Sequence, residues 1–224
     1  SVYYMTYDDA KLGVWRVQTD TKEAPTHTVK GCTVCHSVSA NGQHLVTGGE
    51  AGNNGGVYQL LPDGGLPKIS DPPSGLGGDS RGLSFAFLTP DGKYVLRSTN
   101  DFWGGPNLRA FRIDNVGQKL TEAEVVGMGT TVSAYVPTIS PDGRFIAHHD
   151  KNQRLWLYDV EKKKDSMIDE SQVDQFENLR WSPDSRWLAY VVASSNLYSR
   201  IWIHGVSDGS KIAVTLSKDG NPEI

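Results

Sequence analysis

At 224 residues, with 38% hydrophobic and 21% charged content, the chain suits one all-β domain of many short, half-buried strands better than an apolar-rich α/β core. A net charge of −4, with Lys162-Lys163-Lys164 as the lone basic run, argues against a nucleic-acid surface; that run is expected to cap a hairpin. No stretch of about 18 apolar residues occurs, so no helix is expected to span a membrane.

In chain order, Ser1 to Asp9 reads as a strand that starts without a visible leader, as in a mature or trimmed chain. Val14-Trp15-Arg16-Val17 is a second strand. Cys32-Thr33-Val34-Cys35-His36 follows, immediately before the turn Ser39-Ala40-Asn41-Gly42 and the apolar run His44-Leu45-Val46. The same turn signature returns as Thr89-Pro90-Asp91-Gly92, Ser140-Pro141-Asp142-Gly143 and Ser182-Pro183-Asp184-Ser185. Each copy precedes a strand: Tyr94-Val95-Leu96, Phe145-Ile146-Ala147 and Trp187-Leu188-Ala189-Tyr190. The turns begin at 39, 89, 140 and 182, which gives intervals of 50, 51 and 42. Proline presets the second position of a type I turn, Asp or Asn accepts a local hydrogen bond, and glycine takes the positive φ that reverses the chain. A further strand follows in every unit: Val14–Val17, Val57–Leu60, Leu108–Ile113, Leu155–Tyr158 and Ile201–His204. Repeats of about 40 to 50 residues with several strands each are the pattern of a β-propeller.

Five such strands but four turns leave one turn to be found. Asn221-Pro222-Glu223-Ile224 matches the run before a turn, and Ser1 to Asp9 matches the strand after one. The expected fold is therefore all-β: a single domain over 1–224, a five-bladed propeller of four-stranded antiparallel blades, with the N- and C-terminal strands paired to close the ring and remove exposed edges. The blades are 1–31 plus 221–224, 32–78, 79–130, 131–171 and 172–220. A trimmed piece of a longer propeller is the alternative.

The segment from about Tyr135 to Thr215 carries Pro137 to Ala147, Leu179 to Tyr190, Ser199 to His204 and Ile212 to Thr215. In these it resembles the TolB-like and tricorn-like propellers, whose blades carry the PD40 repeat. The resemblance implies a docking, gating or scaffold module. The peptidase domains that accompany tricorn-type propellers do not fit within this length, so no peptidase activity is expected. The first half, with longer intervals and more glycine, resembles bacterial propeller-like proteins that carry a Cys-x-x-Cys-His segment at the start of a blade. Two textures in one chain suggest a recombined or engineered propeller with no native function, or natural blades that diverged unequally.

Both cysteines of the protein lie in Cys32-Thr33-Val34-Cys35-His36. The spacing is that of a covalent c-type haem site: two thiols for the vinyl groups and His36 for the iron. Candidates for a second axial ligand are Met5, His44 and Met128. Three readings stay open: haem at Cys32, Cys35 and His36; a disulfide or a reduced thiol pair at the head of a strand; and zinc completed by His27 or His44. In phase with Val136-Pro137, the motif sits on a regular blade strand, where side chains alternate. The expectation is therefore no cofactor and no metal.

Carboxylates for glycoside chemistry would have to come from Glu177 and Glu223 before their turns. His148 and His149 alternate on a strand, so one is expected in the core and the other on a polar face. Trp15, Trp156 and Trp202 recur at one phase, as residues buried between blades do. The expected function is a non-enzymatic scaffold or binding module. Its protein, peptide or small ligand would sit at a channel mouth built from loops. A haem-bearing redox propeller and a carbohydrate-active enzyme are the alternatives. The chain is expected to be monomeric, free of nucleic acid and membrane, and periplasmic or extracellular if natural.

Overall fold

The computed structural model describes residues 1–6, 8, 11–30, 36–48, 55–71, 83, 86–98, 107–113, 118–127, 135–194 and 198–215. Contacts divide the chain into two units: Ser1–Phe102 with Arg109–Glu124, and Trp103–Leu108 with Val125–Ile224.

In the first unit, β1 (Val2–Thr6), β2 (Gly13–Val17) and β3 (Thr26–Lys30) form one antiparallel sheet. The second sheet holds β4 (His36–Val38), β5 (His44–Thr47), β6 (Gly56–Gln59) and β7 (Lys68–Asp71). The third holds β8 (Phe87–Leu88), β9 (Tyr94–Ser98) and β10 (Asn107–Arg112), and ends on β12 (Thr121–Gly127). Between β10 and β12, the short β11 (Gln118–Lys119) pairs in parallel with β7, Gln118 opposite Ser70, and makes the second sheet five-stranded. That fifth strand departs from the expected four. It hydrogen-bonds to a blade edge that would otherwise present unpaired backbone groups.

The second unit has two regular sheets. One is β13 (Tyr135–Ile139), β14 (Phe145–His149), β15 (Arg154–Asp159) and β16 (Lys164–Glu170). The other is β17 (Glu177–Trp181), β18 (Trp187–Ala193), β19 (Ser199–Gly205) and β20 (Lys211–Ala213). The chain is thus all-β, with five sheets, antiparallel apart from the β11–β7 pair, as the blades of a five-bladed propeller and no helix among the described residues. The first blade shows three strands. Its expected fourth, 221–224, lies outside the described residues, as does the pairing that would close the ring.

The four turn copies adopt one geometry. The hydroxyl of Ser39, Thr89, Ser140 or Ser182 donates to Oδ1 of Asn41, Asp91, Asp142 or Asp184 at 2.6–2.7 Å. The same Oδ1 accepts the amide two residues on at 3.0–3.1 Å. The hydroxyl oxygen in turn accepts the amide of the first strand residue, at 2.9–3.1 Å. Gly42, Gly92 and Gly143 take φ of 69°, 70° and 76°, and Ser185 takes 61° in the fourth copy. Each turn thus satisfies its own polar groups, leaving the apolar run after it to pack between blades.

The core is layered. Val14, Val29 and Leu45 join the first two sheets; Val46, Val57, Ile69, Val95 and Phe111 lie between the second and third. In the second unit Leu155, Leu157, Phe176, Leu179, Leu188 and Tyr190 form the layer between its sheets. Short strands buried on both faces explain how a chain with modest hydrophobic content forms a core.

Candidate functional site

Of the Cys-x-x-Cys-His motif, Cys32 and Cys35 lie outside the described residues. His36 opens β4, half-buried, with its Nε2 3.3 Å from the Tyr3 carbonyl oxygen. A ring nitrogen facing a carbonyl oxygen at that distance is placed as a donor, which does not fit an axial iron ligand. Met5 packs on the Val14, Val29 and Leu45 cluster, and Met128 is outside the described residues. His44 is half-buried; burial lowers its pKa, and its Nδ1 has no hydrogen-bond partner. Among the described residues no three His, Cys, Asp or Glu side chains are grouped to hold a metal ion. Glu177 is exposed on β17, and Glu223 lies outside the described residues.

The histidine pair departs from expectation. Both His148 and His149 are buried, at 0% and 4% exposure. β14 is an inner strand covered on both sides, so alternation does not lead to a polar face. His148 Nε2 lies 3.1 Å from both Asp165 oxygens, while burial lowers the His149 pKa to about 4. Asp150 accepts the amides of Asn152 and Arg154 and the Trp156 indole N–H at 2.8–3.0 Å, which assigns it to the turn rather than to chemistry.

The three tryptophans are half-buried rather than enclosed. Trp15 stacks on His27 at 4.5 Å and donates to the Lys11 carbonyl. Trp156 donates to Asp150, and the Lys211 ammonium sits 4.4 Å from the Trp202 ring centre. Each indole has one packed face and one polar contact, which is why complete burial does not occur.

A groove of about 780 Å³ lies between the two sheets of the second unit, at the end that carries the hairpin turns. Phe145, Leu157, Ile168 and Val206 supply apolar lining. The β13–β14 and β15–β16 turns contribute Arg144, Asp159, Lys162 and Lys164; the opposite wall contributes Asp184, Arg186 and His204. Two contacts fix its width. The Asp142 amide donates to Ser185 Oγ at 3.0 Å, from turn to turn. Asp169 Oδ2 of β16 accepts the Tyr190 hydroxyl at 2.7 Å and pairs with Lys211 at 2.6 Å. Burial and the Asp169 carboxylate raise the Tyr190 pKa, so the phenol stays protonated as the donor.

Asp184 and Asp159 of the groove remain ionised. The Ser182 hydroxyl and then Arg186 hold Asp184 at about 2, and the Lys162 amide leads the contacts that lower Asp159. Burial lowers His204 against the opposing pull of Asp169 and Asp208, favouring its neutral form. The groove is not evident from the sequence, where Lys162 to Lys164 reads as a hairpin cap. The available signal was Arg144 and Arg186, each directly after its turn.

The family model described as Dipeptidyl peptidase IV (DPP IV) N-terminal region matches residues 131–224, under half of the chain. A protein named as a tricorn-like protease C-terminal subunit, from Sulfurisphaera tokodaii, is 31% identical over 128 residues, 57% of this chain and 14% of its own length. A tricorn protease homolog of Saccharolobus solfataricus is 26% identical over 77 residues, 34% of this chain and 7% of its own. TolB from Acinetobacter baumannii superposes with a TM-score of 0.63 at 18% identity, covering 98% of this chain and 52% of that one. The chain has a β-propeller fold, and its sequence is similar to tricorn-like propellers. At such identity the TolB likeness shows the fold alone. The chain spans about half of that TolB and a small fraction of the curated relatives. Both units of the propeller use the same turn geometry, so the difference in texture between its halves is not a difference in fold.

Proposed function

We propose that this propeller is a non-catalytic binding module acting as one domain over 1–224, and that it offers the groove of its second unit to a protein or peptide partner. The observation that carries the reading is the groove itself. It is apolar at the bottom, charged at the walls, and held open by the Asp142–Ser185 and Asp169–Tyr190 contacts before any ligand arrives. Preformed concave surfaces lose little ordering entropy on binding. His148 and Asp165, the described pair nearest in type to a catalytic dyad, have exposures of 0% and 9% and cannot meet a substrate.

The same reading makes the chain a monomer outside the cytosol, where a Cys32–Cys35 disulfide would persist. The test compares the intact chain with a variant whose groove is filled, Ser166→Trp, as immobilised baits in an extracytoplasmic extract. A partner held by the intact chain and lost by the variant supports the proposal. Turnover of peptide or glycoside substrates by the intact chain, abolished in the variant, overturns it in favour of an enzyme.

A further inference from the structure

The direction of the groove's charges indicates the chemistry of its partner. Each wall aspartate uses Oδ1 on a backbone amide: Asp142 on Arg144, Asp159 on Lys162 and Asp184 on Arg186. One oxygen of each carboxylate is therefore held within its own turn; Asp159 is buried, and Asp142 and Asp184 are exposed. The cations are exposed as well. Side chains of Arg144, Lys162 and Arg186 are 50%, 67% and 75% exposed, although Arg144 and Lys162 share Asp159 at 4.0 and 3.3 Å and Arg186 holds Asp184 at 2.6 Å. Lys164 lines the groove, is exposed, and forms no ion pair among the described residues. Met167, farther along the same strand, also lines the groove and is 51% exposed, a large apolar side chain.

We propose that the groove recognises an extended acidic segment of a partner protein, in which a carboxylate side chain meets Lys164 and a neighbouring apolar side chain covers Met167. The inference rests on the binding-module reading above. A thioether gains contacts from an apolar partner of almost any shape, which suits a segment lacking fixed tertiary structure. A carboxylate at Lys164 gains an ion pair without displacing an existing one. The three wall aspartates disfavour a polyphosphate backbone, whose closely spaced charges could not avoid them. A peptide can place one or two carboxylates at the cations and keep its other residues neutral.

The experiment titrates the full chain into a labelled, end-blocked octapeptide of aspartate, leucine and serine. Matched probes carry lysine for aspartate, or are a short thymidine oligonucleotide. Binding is read by anisotropy, and its location by backbone amide shifts. The aspartate peptide is expected to bind, to shift groove amides, and to weaken as salt rises. Lys164→Glu, an exposed change, is expected to weaken it roughly five- to ten-fold, and Met167→Asp to weaken it at unchanged melting temperature. Preference for the lysine peptide or the oligonucleotide overturns the acidic-segment inference, as does an affinity indifferent to Lys164→Glu. If lysine peptide binds in the groove, the binding-module reading stands without that inference. If no probe shifts groove amides, both fail.

Discussion

Ser185 occupies the position where three other turns have glycine, with φ of 61°, and its Oγ accepts the Asp142 amide at 3.0 Å. A serine in this left-handed conformation is strained by about 1 kcal/mol, and the hydrogen bond offsets about as much. Two substitutions separate these effects. Ser185→Gly removes both and is expected to leave stability within about 0.5 kcal/mol. Ser185→Ala keeps the strain and loses the bond, and is expected to cost about 1–2 kcal/mol. Urea denaturation decides it: an alanine variant as stable as the glycine variant would remove the turn-to-turn bond from the account. Hydrogen exchange at the Asp142 amide should quicken in both.

The turn bonds themselves predict which replacements survive. Asn41 performs in its turn what Asp91, Asp142 and Asp184 do in theirs, through the same Oδ1. Asp142→Asn is therefore expected to shift stability by less than about 0.5 kcal/mol, and Ser140→Ala to cost about 1–2 kcal/mol by stripping two bonds at once. Thermal melts of the two variants give the answer. A costly Asp142→Asn would mean that charge, rather than acceptor geometry, holds the turn.

These turns were the most legible part of the sequence, because their chemistry is local: four residues determine a hairpin whatever packs behind them. The strands after them were legible for the same reason. Burial was not. Alternation places one of His148 and His149 on a polar face, yet both are inside, since the covering of a second face is a tertiary fact that periodicity does not carry. The parallel pairing of β11 with β7 depends on a contact between blades and left no mark on either segment. The groove was half-visible: Arg144 and Arg186 stood at one phase after their turns, but its width depends on Asp142–Ser185 and Asp169–Tyr190, contacts 43 and 21 residues apart.

Asp169 tests how far the two sheets of the second unit depend on one carboxylate. Asp169→Ala would leave the Tyr190 hydroxyl, in a side chain of 0% exposure, without its acceptor, and free the Lys211 ammonium. The expected cost is about 2–4 kcal/mol. Adding Tyr190→Phe removes the orphaned hydroxyl and should restore about 1–2 kcal/mol of that loss. Strictly additive effects in this double-mutant cycle would show that the hydroxyl and carboxylate are not coupled.

Acid sensitivity follows from His149. Its folded pKa, about 4, lies below the ordinary value of 6.5, with burial the leading cause. The unfolded chain therefore binds a proton between these values that the native state does not. The stabilisation is fully present above about pH 6.5 and is lost as pH falls toward 4, on the order of 3 kcal/mol in all. His44 and His204, also lowered by burial, act with the same sign. Chemical denaturation between pH 8 and 4 should show stability declining with acid, with a shallower slope in His149→Gln. An equal slope in that variant would assign the sensitivity elsewhere.

The cysteine motif gives the last prediction: Cys32 and Cys35 carry no covalent haem. The spacing to His36 is right for attachment, so spacing does not decide. His36 argues against it. Its Nε2, the atom that would bind iron, lies 3.3 Å from the Tyr3 carbonyl oxygen, and its backbone begins β4, paired with Thr47. Ser37 and Val38 continue that ladder opposite Val46 and Leu45, and Leu45 belongs to the core shared with Val14 and Val29. Turning His36 beneath a macrocycle would break the contact with β1 and strain the start of a strand whose partners are buried. Expression in a host with haem-attachment machinery, followed by a pyridine haemochrome assay, tests this directly. The expected result is no covalent haem and, under oxidising conditions, two fewer titratable thiols if the pair closes. Stoichiometric haem, lost in His36→Ala, would overturn the prediction and make electron transfer the leading function of this propeller.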